Sequence, residues 1–470
     1  MIKSILNTDK RIVRELFFLS LPIILSNVSR VIMELVDMVM INRLGQIELF
    51  NGVSMGGILV WVSMSLAIGI RIATQTISAR RYGEKKYSQC GFALRHGLII
   101  AFIMGIFFSL LGYFSMDHIV PLIVSQAEHV APTIEYAKYL SIGILPFYLG
   151  IVFQGFYNSI EKTKIHMKVV VVANILNIYL NAGFIYGSDL INYLNDTNIE
   201  IFSFLWFWAD FEGLEVKGSA IATVISTTIM VLHYIYYLFK NNINKQYEIL
   251  ISKIRCDKIK KHFSLAAPLF TSEIFLSTSY LMLYIIIENI GQTELAAWTL
   301  IIRIMHASFM PAMGIGQGCA TMVGKYLGEK NIHNATQSIY SGLQIGIGLM
   351  GSIGIIFILF PYNVIAIFNT LQSASPLAAA GLQFIGIFQI FDAICIVLFF
   401  SMSAGGDIKY PVYVEIIMHW LVMVPISWFF GIYLGYGFWG VISVFGAQVI
   451  ITAIIFILRI NTGKWKKIEV

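Results

Sequence analysis

Long apolar runs separated by short polar breaks dominate the chain from end to end. Most runs hold about 20 residues or more, the length that an α-helix needs to cross the hydrocarbon core of a bilayer. The pattern therefore predicts an all-α integral membrane protein with twelve transmembrane helices. The predicted segments are 15–41, 50–79, 93–115, 133–157, 169–187, 218–239, 264–289, 295–321, 338–360, 377–403, 412–434 and 437–459.

The composition supports this class of protein. Hydrophobic residues make up 57% of the 470 residues and charged residues 12%, and the mean hydropathy is +0.77. The net charge of +6 does not indicate nucleic-acid binding, because Lys and Arg lie in the predicted loops and tails. The cysteines are widely scattered and predict neither a disulfide framework nor a metal site: they are Cys90, Cys256, Cys319 and Cys395.

The loops on the two sides of the predicted membrane differ in charge. Lys and Arg concentrate in the N-terminus, in segments 80–86, 161–164, 240–262 and 324–330, and in the C-terminal GKWKK, all on one side. By the positive-inside rule, both termini of this multi-pass protein of the cell (inner) membrane should face the cytoplasm. The aromatic segment IFSFLWFWADF, 201–211, is too short to span and should lie at the membrane interface.

The second half of the sequence repeats features of the first. Pro22 matches Pro268, and GQIEL at 45–49 matches GQTEL at 291–295, both 246 residues apart. The GEK motifs at 83–85 and 328–330 follow at a spacing of 245. Six spans per repeat predict two parallel six-helix lobes related by a pseudo-twofold axis along the membrane normal. The predicted lobes are 1–239 and 264–470, joined by a cytoplasmic linker at 240–263. This architecture suits alternating access.

The first predicted span carries four polar residues, Asn27, Arg30, Glu34 and Asp37. At 100° per residue they fall within an arc of about 80°, so they form one stripe that must face protein or water. Arg30 and Glu34, at spacing i,i+4, could be a structural ion pair or could modulate a functional site. Asp37 then remains as excess negative charge, unless Arg71 of the second span reaches it.

Two further predicted spans contain a carboxylate without a basic neighbour in the same span. Glu273 and Asp392 fit a role in binding a proton or a small cation, because intramembrane ionisable groups are usually functional. The alternative is a protonated acid that donates a hydrogen bond between helices. Glu415 and His419, at spacing i,i+4, are interpreted as a local pair.

Asparagines repeat at roughly helical spacing in the fifth predicted span. Asn174, Asn177 and Asn181 could supply amide ligands to the same lobe as Asp37, or they could form hydrogen bonds between helices. Nothing in the sequence resembles a nucleotide-binding loop or the nucleophile turn of a hydrolase. We therefore expect a protein that is no enzyme, has no cofactor, and takes its energy from an ion gradient.

Motifs spread over nearly the whole chain resemble the multidrug and toxic compound extrusion (MATE) transporters, in particular their bacterial NorM-like branch. Their order and spacing carry the resemblance more than any single motif. The motifs are LSLPIILS from Leu19, VDMVMINRLG with Asp37, PLFTSE with Glu273, MPAMGIGQGCATMVGKYLGEKN from Met310 to Asn331, FQIFDA with Asp392, and SAGGDIKYP from Ser403 to Pro411.

The resemblance implies an antiporter that exports organic, often cationic, small molecules in exchange for Na⁺ or H⁺. It implies that Glu273 and Asp392 bind the cation in the C-terminal lobe, where Na⁺ would be the only metal ion. It also implies that Asp37, with the supporting ligands Asn177, Asn181 and Thr223, forms a protonation or cation site in the N-terminal lobe. The protein is expected to be a monomer in the lipid bilayer.

The sequence departs from the family pattern in two places. Phe388 stands where NorM-like members often carry a Tyr, four residues before the aspartate of the tenth span, which leaves out one cation ligand. Arg30 and Glu34 are not part of the usual pattern and are possible modulators. The alternative functions are a flippase of the same superfamily that moves a lipid-linked oligosaccharide, and a membrane-embedded enzyme.

Overall fold

The protein is described here from a computed structural model, which covers residues 8–124, 126–197, 200–250, 256–368 and 375–468. Throughout these ranges the secondary structure is helical, apart from turns and one isolated bridge between Gly187 and Glu212. The long apolar helices are α1 Lys10–Asn42, α2 Ile47–Gly83, α3 Tyr87–Ile123, α4 Ala127–Ser159, α5 Thr163–Tyr186, α6 Glu215–Lys240, α7 Cys256–Glu288, α8 Gln292–Gly328, α9 Ile332–Leu359, α10 Ser375–Ala404, α11 Lys409–Tyr433 and α12 Gly437–Asn461.

The predicted count of transmembrane helices is confirmed. Eleven helices in the described ranges are long and apolar enough to cross a membrane, and α4 makes twelve if its two parts form one span. These parts, Ala127–Ile142 and Ile144–Ser159, meet at a bend of 48°. Most of the helices extend several residues beyond the predicted segments. Apolar runs mark only the part of a helix that lies in hydrocarbon, whereas its hydrogen bonding continues into the polar region.

Two of the spanning helices are locally irregular. Helix α2 is interrupted at Leu66, between Ile47–Ser65 and Ala67–Gly83. Helix α11 contains two π-helical segments, Met418–Met423 and Phe429–Tyr433. Such segments are rare and often occur at functional sites, and the first one directly follows the turn that carries Glu415.

The aromatic segment between α5 and α6 does not form a spanning helix. A 3₁₀ helix covers Glu200–Trp206. Phe204 within this helix and Phe207 directly after it are exposed. The indole nitrogen of Trp208 donates to the hydroxyl of Tyr179 on α5 at 2.6 Å. The segment therefore folds back against α5 with aromatic side chains facing outward, as suits a membrane interface.

Contacts place both ends of the chain on the same side of the helical bundle. Thr8 donates to the side chain of Gln344 in the first half of α9, and Arg80 at the end of α2 donates to the carbonyl of Ile468 at 2.7 Å. Lys325 at the end of α8 lies 3.5 Å from Glu15 in α1. We call this side of the molecule the terminal side.

The buried apolar residues form separate cores for the two halves of the chain and one shared core. One cluster draws only on α2–α6 and the segment after them, and another only on α7–α12. A third cluster combines Ile12 and Leu16 of α1 with residues of α8, α9, α10 and α12. The linker contributes to the first cluster through Ile243, Tyr247 and Ile249, so part of this hydrophilic segment is anchored to the N-terminal half.

The halves meet on the terminal side through the repeated GEK motifs. A Cβ on Gly83 would lie 1.9 Å from the carbonyl oxygen of Lys325, and one on Gly328 would lie 2.1 Å from that of Arg80. Each glycine therefore packs against the residue three positions before the other glycine, an approach that any side chain would block.

The same region contains side-chain hydrogen bonds between the two halves, one of them between residues at the repeat spacing. The amide nitrogen of Gln75 donates to the hydroxyl of Thr321, 246 residues later, at 3.0 Å. Gln317 accepts from Gln154 and Asn158 at 3.2 and 3.3 Å. Further into the bundle, Asn27 donates to the carbonyl of Met310 at 3.0 Å. These contacts run from the terminal side to the middle of α1, so the halves are closed against each other there.

Candidate ion and substrate sites

The acid of α1 is held by an amide network on α5 and α6. Asn181 donates to Oδ1 of Asp37 at 2.5 Å and to Oδ1 of Asn177 at 3.2 Å. Asn177 in turn donates to the hydroxyls of Thr223 and Ser226, both at 3.3 Å. The structure thus brings together all four residues that the sequence assigned to the N-terminal site.

The asparagines of α5 also join helices, as the alternative interpretation held. Asn174 donates to Ser29 of α1 at 2.9 Å, and Asn177 binds α6. Asn181 differs from both because its side-chain oxygen is buried without a hydrogen-bond partner among the described residues. This buried oxygen is therefore an acceptor that is still available for a proton or a cation.

A cavity of about 240 Å³ lies beside this network. The sequence-predicted site residues Asp37, Arg30, Glu34 and Thr223 all line it. Its wall also contains large apolar and aromatic side chains, among them Trp61, Met64, Tyr136, Phe147 and Met230. A few polar groups set in an apolar wall are typical of small-molecule sites.

Arg30 and Glu34 form the ion pair that their spacing predicted. Nε of Arg30 lies 3.3 Å from the Glu34 carboxylate, and both side chains are about two-fifths exposed, at 38% and 42%. The guanidinium also lies over the rings of Trp61 and Phe147, at 5.3 and 5.5 Å from their centroids. From the other half of the chain, His306 of α8 is close enough to interact with both charges. The pair therefore lines the cavity on the side that faces the C-terminal half.

The acids of the C-terminal half are less well satisfied than Asp37. Asp392 is 8% exposed, and its Oδ2 has no hydrogen-bond partner among the described residues. One turn earlier on α10, the amide nitrogen of Gln389 is also buried without a partner. The phenol of Tyr280 lies near enough to Asp392 and Glu415 to interact with both.

Glu415 belongs with these acids, and its interpretation as a local pair with His419 was wrong. The His419 ring bonds to the main-chain carbonyl of Glu415 at 2.8 Å, not to the carboxylate. The Glu415 carboxylate instead accepts from Ser272 of α7 at 3.0 Å and lies near Glu273. The i,i+4 spacing permitted a pair, but the side chain of Glu415 turns toward α7.

Arg71 does not neutralise Asp37. It is 2% exposed, and its guanidinium lies over the ring of Phe400 of α10 at 5.7 Å. Its acidic neighbour is Glu273 of α7, and its Nη1 has no hydrogen-bond partner among the described residues. The cation missing from the span of Glu273 is thus supplied by the other half of the chain, which no pattern within one span could reveal.

Some predicted neighbours are not in contact. Within the described ranges, no hydrogen bond or ion pair joins Glu273 to Asp392, and no three His, Cys, Asp or Glu side chains are grouped so that they could hold a metal ion. Phe388, in place of the expected Tyr, packs its ring against Gly446 of α12, where a Cβ would lie 2.7 Å from it. That position serves helix packing here.

The fold and these sites together define an integral membrane protein of two helical halves, with a cavity in the N-terminal half and buried acids in both. The MatE family model matches residues 22–182 and again residues 268–429, which together make up more than half of the chain. The protein belongs to this family, the multidrug and toxic compound extrusion transporters, and is therefore not an enzyme. The two matched segments begin 246 residues apart, at Pro22 and Pro268.

Individual relatives and solved structures agree with the family. The chain is 23% identical over 448 residues to a probable multidrug resistance protein NorM of Mesorhizobium japonicum, covering 92% of this chain and 91% of the relative. It is 24% identical to a probable NorM of Thermotoga maritima, with coverage of 97% and 93%.

Solved structures share the whole fold. A MATE crystal structure in complex with MaL6 aligns with a TM-score of 0.86 at 20% identity, over 97% of this chain and 98% of that one. The outward-facing conformation of a multidrug resistance MATE family transporter of the MOP superfamily aligns with a TM-score of 0.85 at 21% identity, over 98% and 100%.

Proposed function

We propose that the protein exports organic, mostly cationic compounds by antiport with Na⁺ or H⁺. The observation that carries this proposal is the amide network around Asp37, which borders a cavity of about 240 Å³ with aromatic walls. A carboxylate beside an apolar cavity can bind a proton or small cation at one stage of the cycle and an organic cation at another. The names of the NorM relatives, as multidrug resistance proteins, support the same substrate class.

Exchange requires only that the two ligands favour opposite states of the transporter. In the state described here one oxygen of Asp37 accepts a hydrogen bond from Asn181. We propose that a proton or cation at Asp37 weakens this bond and rearranges α1 against α5. That rearrangement reduces the cavity and releases the substrate.

The acids of the C-terminal half are proposed to bind the coupling ion. A buried oxygen of Asp392 has no partner in the described part of the chain, and Glu273 lies near Arg71 of the other half. A bound Na⁺ or proton would satisfy that oxygen, because a buried charged group without partners is costly. We add Glu415 to the proposed set because its carboxylate lies near Glu273 and Tyr280.

We propose that lobes 1–239 and 264–470 rock against each other while the linker at 240–263 joins them. The terminal side carries most Lys and Arg, which favours a cytoplasmic location for it. With the halves closed on that side, the conformation described here would be open to the outside. A monomer suffices for this cycle, since both lobes belong to one chain.

The proposal is tested by expressing the protein in a drug-sensitive cell that lacks its own efflux pumps. Efflux of a cationic dye such as ethidium should rise in cells with intact ion gradients. A cell that gains no efflux of any organic cation, although the protein is inserted, would contradict the exporter. Translocation of a lipid-linked oligosaccharide without dye export would favour the flippase instead.

A further inference from the structure

A second cavity lies on the terminal side, away from the residues of the proposed transport cycle. It forms where α2 and α3 meet the start of α7 and has a volume of about 240 Å³. Three cations line it, Arg81 from α2 and Lys258 and Lys261 from α7, and no carboxylate is among the described residues of its wall.

The wall of the cavity is one continuous face of each helix. The residues from α3 recur at intervals of three and four, and those from α7 do the same, so that each set points in one direction. The members are Gln89, Phe92, Ala93 and His96 on α3, and Lys258, Lys261 and His262 on α7.

Two buried histidines in the wall each have a ring nitrogen without a partner. His96 is 3% exposed and His262 is 1% exposed, and Nε2 of His96 and Nδ1 of His262 have no hydrogen-bond partner among the described residues. Nε2 of His262 lies 3.1 Å from the hydroxyl of Thr74, which donates to the carbonyl of Ile70. Nδ1 of His262 is therefore a donor only when the ring is protonated, a form that a bound anion stabilises.

Two acidic groups, Glu84 and Asp257, lie beside the cavity but are not part of its wall. Glu84 accepts from Arg81 at 2.8 and 2.9 Å and lies 2.9 Å from Lys86. Burial alone would raise the pKa of Glu84, but the hydrogen bonds from Lys86 and Arg81 together outweigh it. The pKa is therefore lowered, and Glu84 remains ionised. Asp257 at the start of α7 acts on His96 from outside the wall. The lining itself stays positive through its two exposed lysines.

An apolar groove lies next to the cavity, further along the same face of α3. It has a volume of about 360 Å³ and is lined by Ile100, Ile103 and Met104 of α3 and by Ile259, Lys260 and Phe263 of α7. At 1.5 Å per residue, Ile103 lies about 10 Å further along α3 than His96. At 100° per residue, the groove residues of α7 lie on the opposite face of that helix from the cavity residues, so the first turns of α7 lie between the groove and the cavity. A basic cavity between helices near the ends of the spans fits the headgroup of an anionic phospholipid, and the groove on the other side of α7 offers an apolar surface for its acyl chain.

We propose that this cavity binds the headgroup of an anionic phospholipid. The phosphate contacts Lys258, Lys261 and the free ring nitrogen of His96, and an acyl chain lies in the groove. Free phosphate shares the headgroup chemistry but cannot fill the groove. Because the site joins α2 and α3 of one half to α7 of the other, the lipid stabilises the arrangement in which the terminal side is closed.

The test measures lipid binding by native mass spectrometry on the full-length protein, purified and delipidated in detergent. The ligands are phosphatidylglycerol, phosphatidylcholine and inorganic phosphate. The cavity variant is Lys258→Gln with Lys261→Gln. The matched control is Lys464→Gln with Lys467→Gln, which removes two exposed lysines of the terminal side that line neither the cavity nor the groove.

Wild type and control should bind phosphatidylglycerol at least about tenfold more tightly than phosphatidylcholine, and the cavity variant should lose about tenfold or more of that affinity. An equal loss in both double variants would assign the binding to general surface charge and overturn the proposal. So would equal binding of the two lipids. Complete displacement of phosphatidylglycerol by millimolar inorganic phosphate would define an anion site without a lipid and would overturn it as well.

Discussion

The two halves of the chain share a helical arrangement but hold their buried acids in different ways. In the N-terminal half, Asp37 accepts a hydrogen bond from Asn181, which belongs to a connected amide network. In the C-terminal half, one buried oxygen of Asp392 has no partner among the described residues, and the cation near Glu273 comes from the other half. The first acid thus has a hydrogen-bond donor within the protein, whereas we propose that the second group is completed by a bound ion.

The difference arises because the two repeats carry different residues at corresponding positions. At the repeat spacing of 246, Asn27 corresponds to Glu273, and Asp37 corresponds to Leu283. From the GEK motifs onward the repeat spacing is 245, so Asn181 corresponds to Ile426, and α11 lacks the amide that binds Asp37. The polar groups thus differ at corresponding positions of the two halves, and we propose that one half binds the coupling ion and the other responds to it.

The largest effect is expected from Asp37→Asn. The substitution keeps the size of the side chain and its contact with Asn181 but removes the charge that the exchange needs. Dye efflux should fall to the background of cells without the protein, at unchanged abundance in the membrane. Efflux at the wild-type rate would remove Asp37 from the mechanism.

Glu273→Gln and Asp392→Asn should each abolish export as well, because they remove acids proposed to bind the coupling ion. These two variants should differ from Asp37→Asn in their binding of the organic cation. A purified protein with either substitution should still bind the organic cation, since the cavity beside Asp37 is intact. Equilibrium binding of ethidium by fluorescence measures this, and loss of binding in the C-terminal variants would break the assignment of separate roles.

Asn181→Ala should lower efflux by about tenfold to a hundredfold, because a hydrogen bond to a charged group is worth about 1.5–3 kcal/mol. Asn174→Ala is the matched control, since it removes an amide of the same helix that binds Ser29 rather than Asp37. The control should change efflux by less than about fivefold. Equal effects of the two substitutions would show that both amides serve only helix packing.

Glu415→Gln should have a smaller effect, about tenfold on the apparent affinity for the coupling ion. Glutamine can still accept the hydrogen bond from Ser272, so that the packing of α11 against α7 is retained. The measurement is the dependence of efflux on Na⁺ concentration and on pH. If neither dependence changes, Glu415 is only a partner of Ser272.

The smallest effect is expected from Arg30→Ala combined with Glu34→Ala. Both side chains are more than a third exposed, at 38% and 42%, and such pairs contribute at most about 1 kcal/mol. Efflux should change by less than about fivefold. The pH dependence of efflux decides between the two interpretations of the pair: an unchanged profile means a structural pair, and a shifted profile means that it modulates Asp37.

The sequence was sufficient for the spans, because each apolar run reports directly on the length of helix in hydrocarbon. It was also sufficient for the partners of Asp37, since the family resemblance and the spacing on α5 both indicated them. It was not sufficient to predict the contacts of the Arg71 and Glu415 side chains. Arg71 reaches Glu273 only through the packing of α2 against α7, and the direction of the Glu415 side chain is set by Ser272 on another helix.

The central proposal is that export depends on an ion gradient, and one flux measurement tests this dependence directly. Export of a cationic dye is followed in cells that express the protein, with the Na⁺ gradient and the H⁺ gradient collapsed separately and then together. We predict that collapsing one of them stops export, and that Asp392→Asn reduces wild-type export to the same level with both gradients intact. Export that continues at the wild-type rate with both gradients collapsed would contradict the proposed antiport.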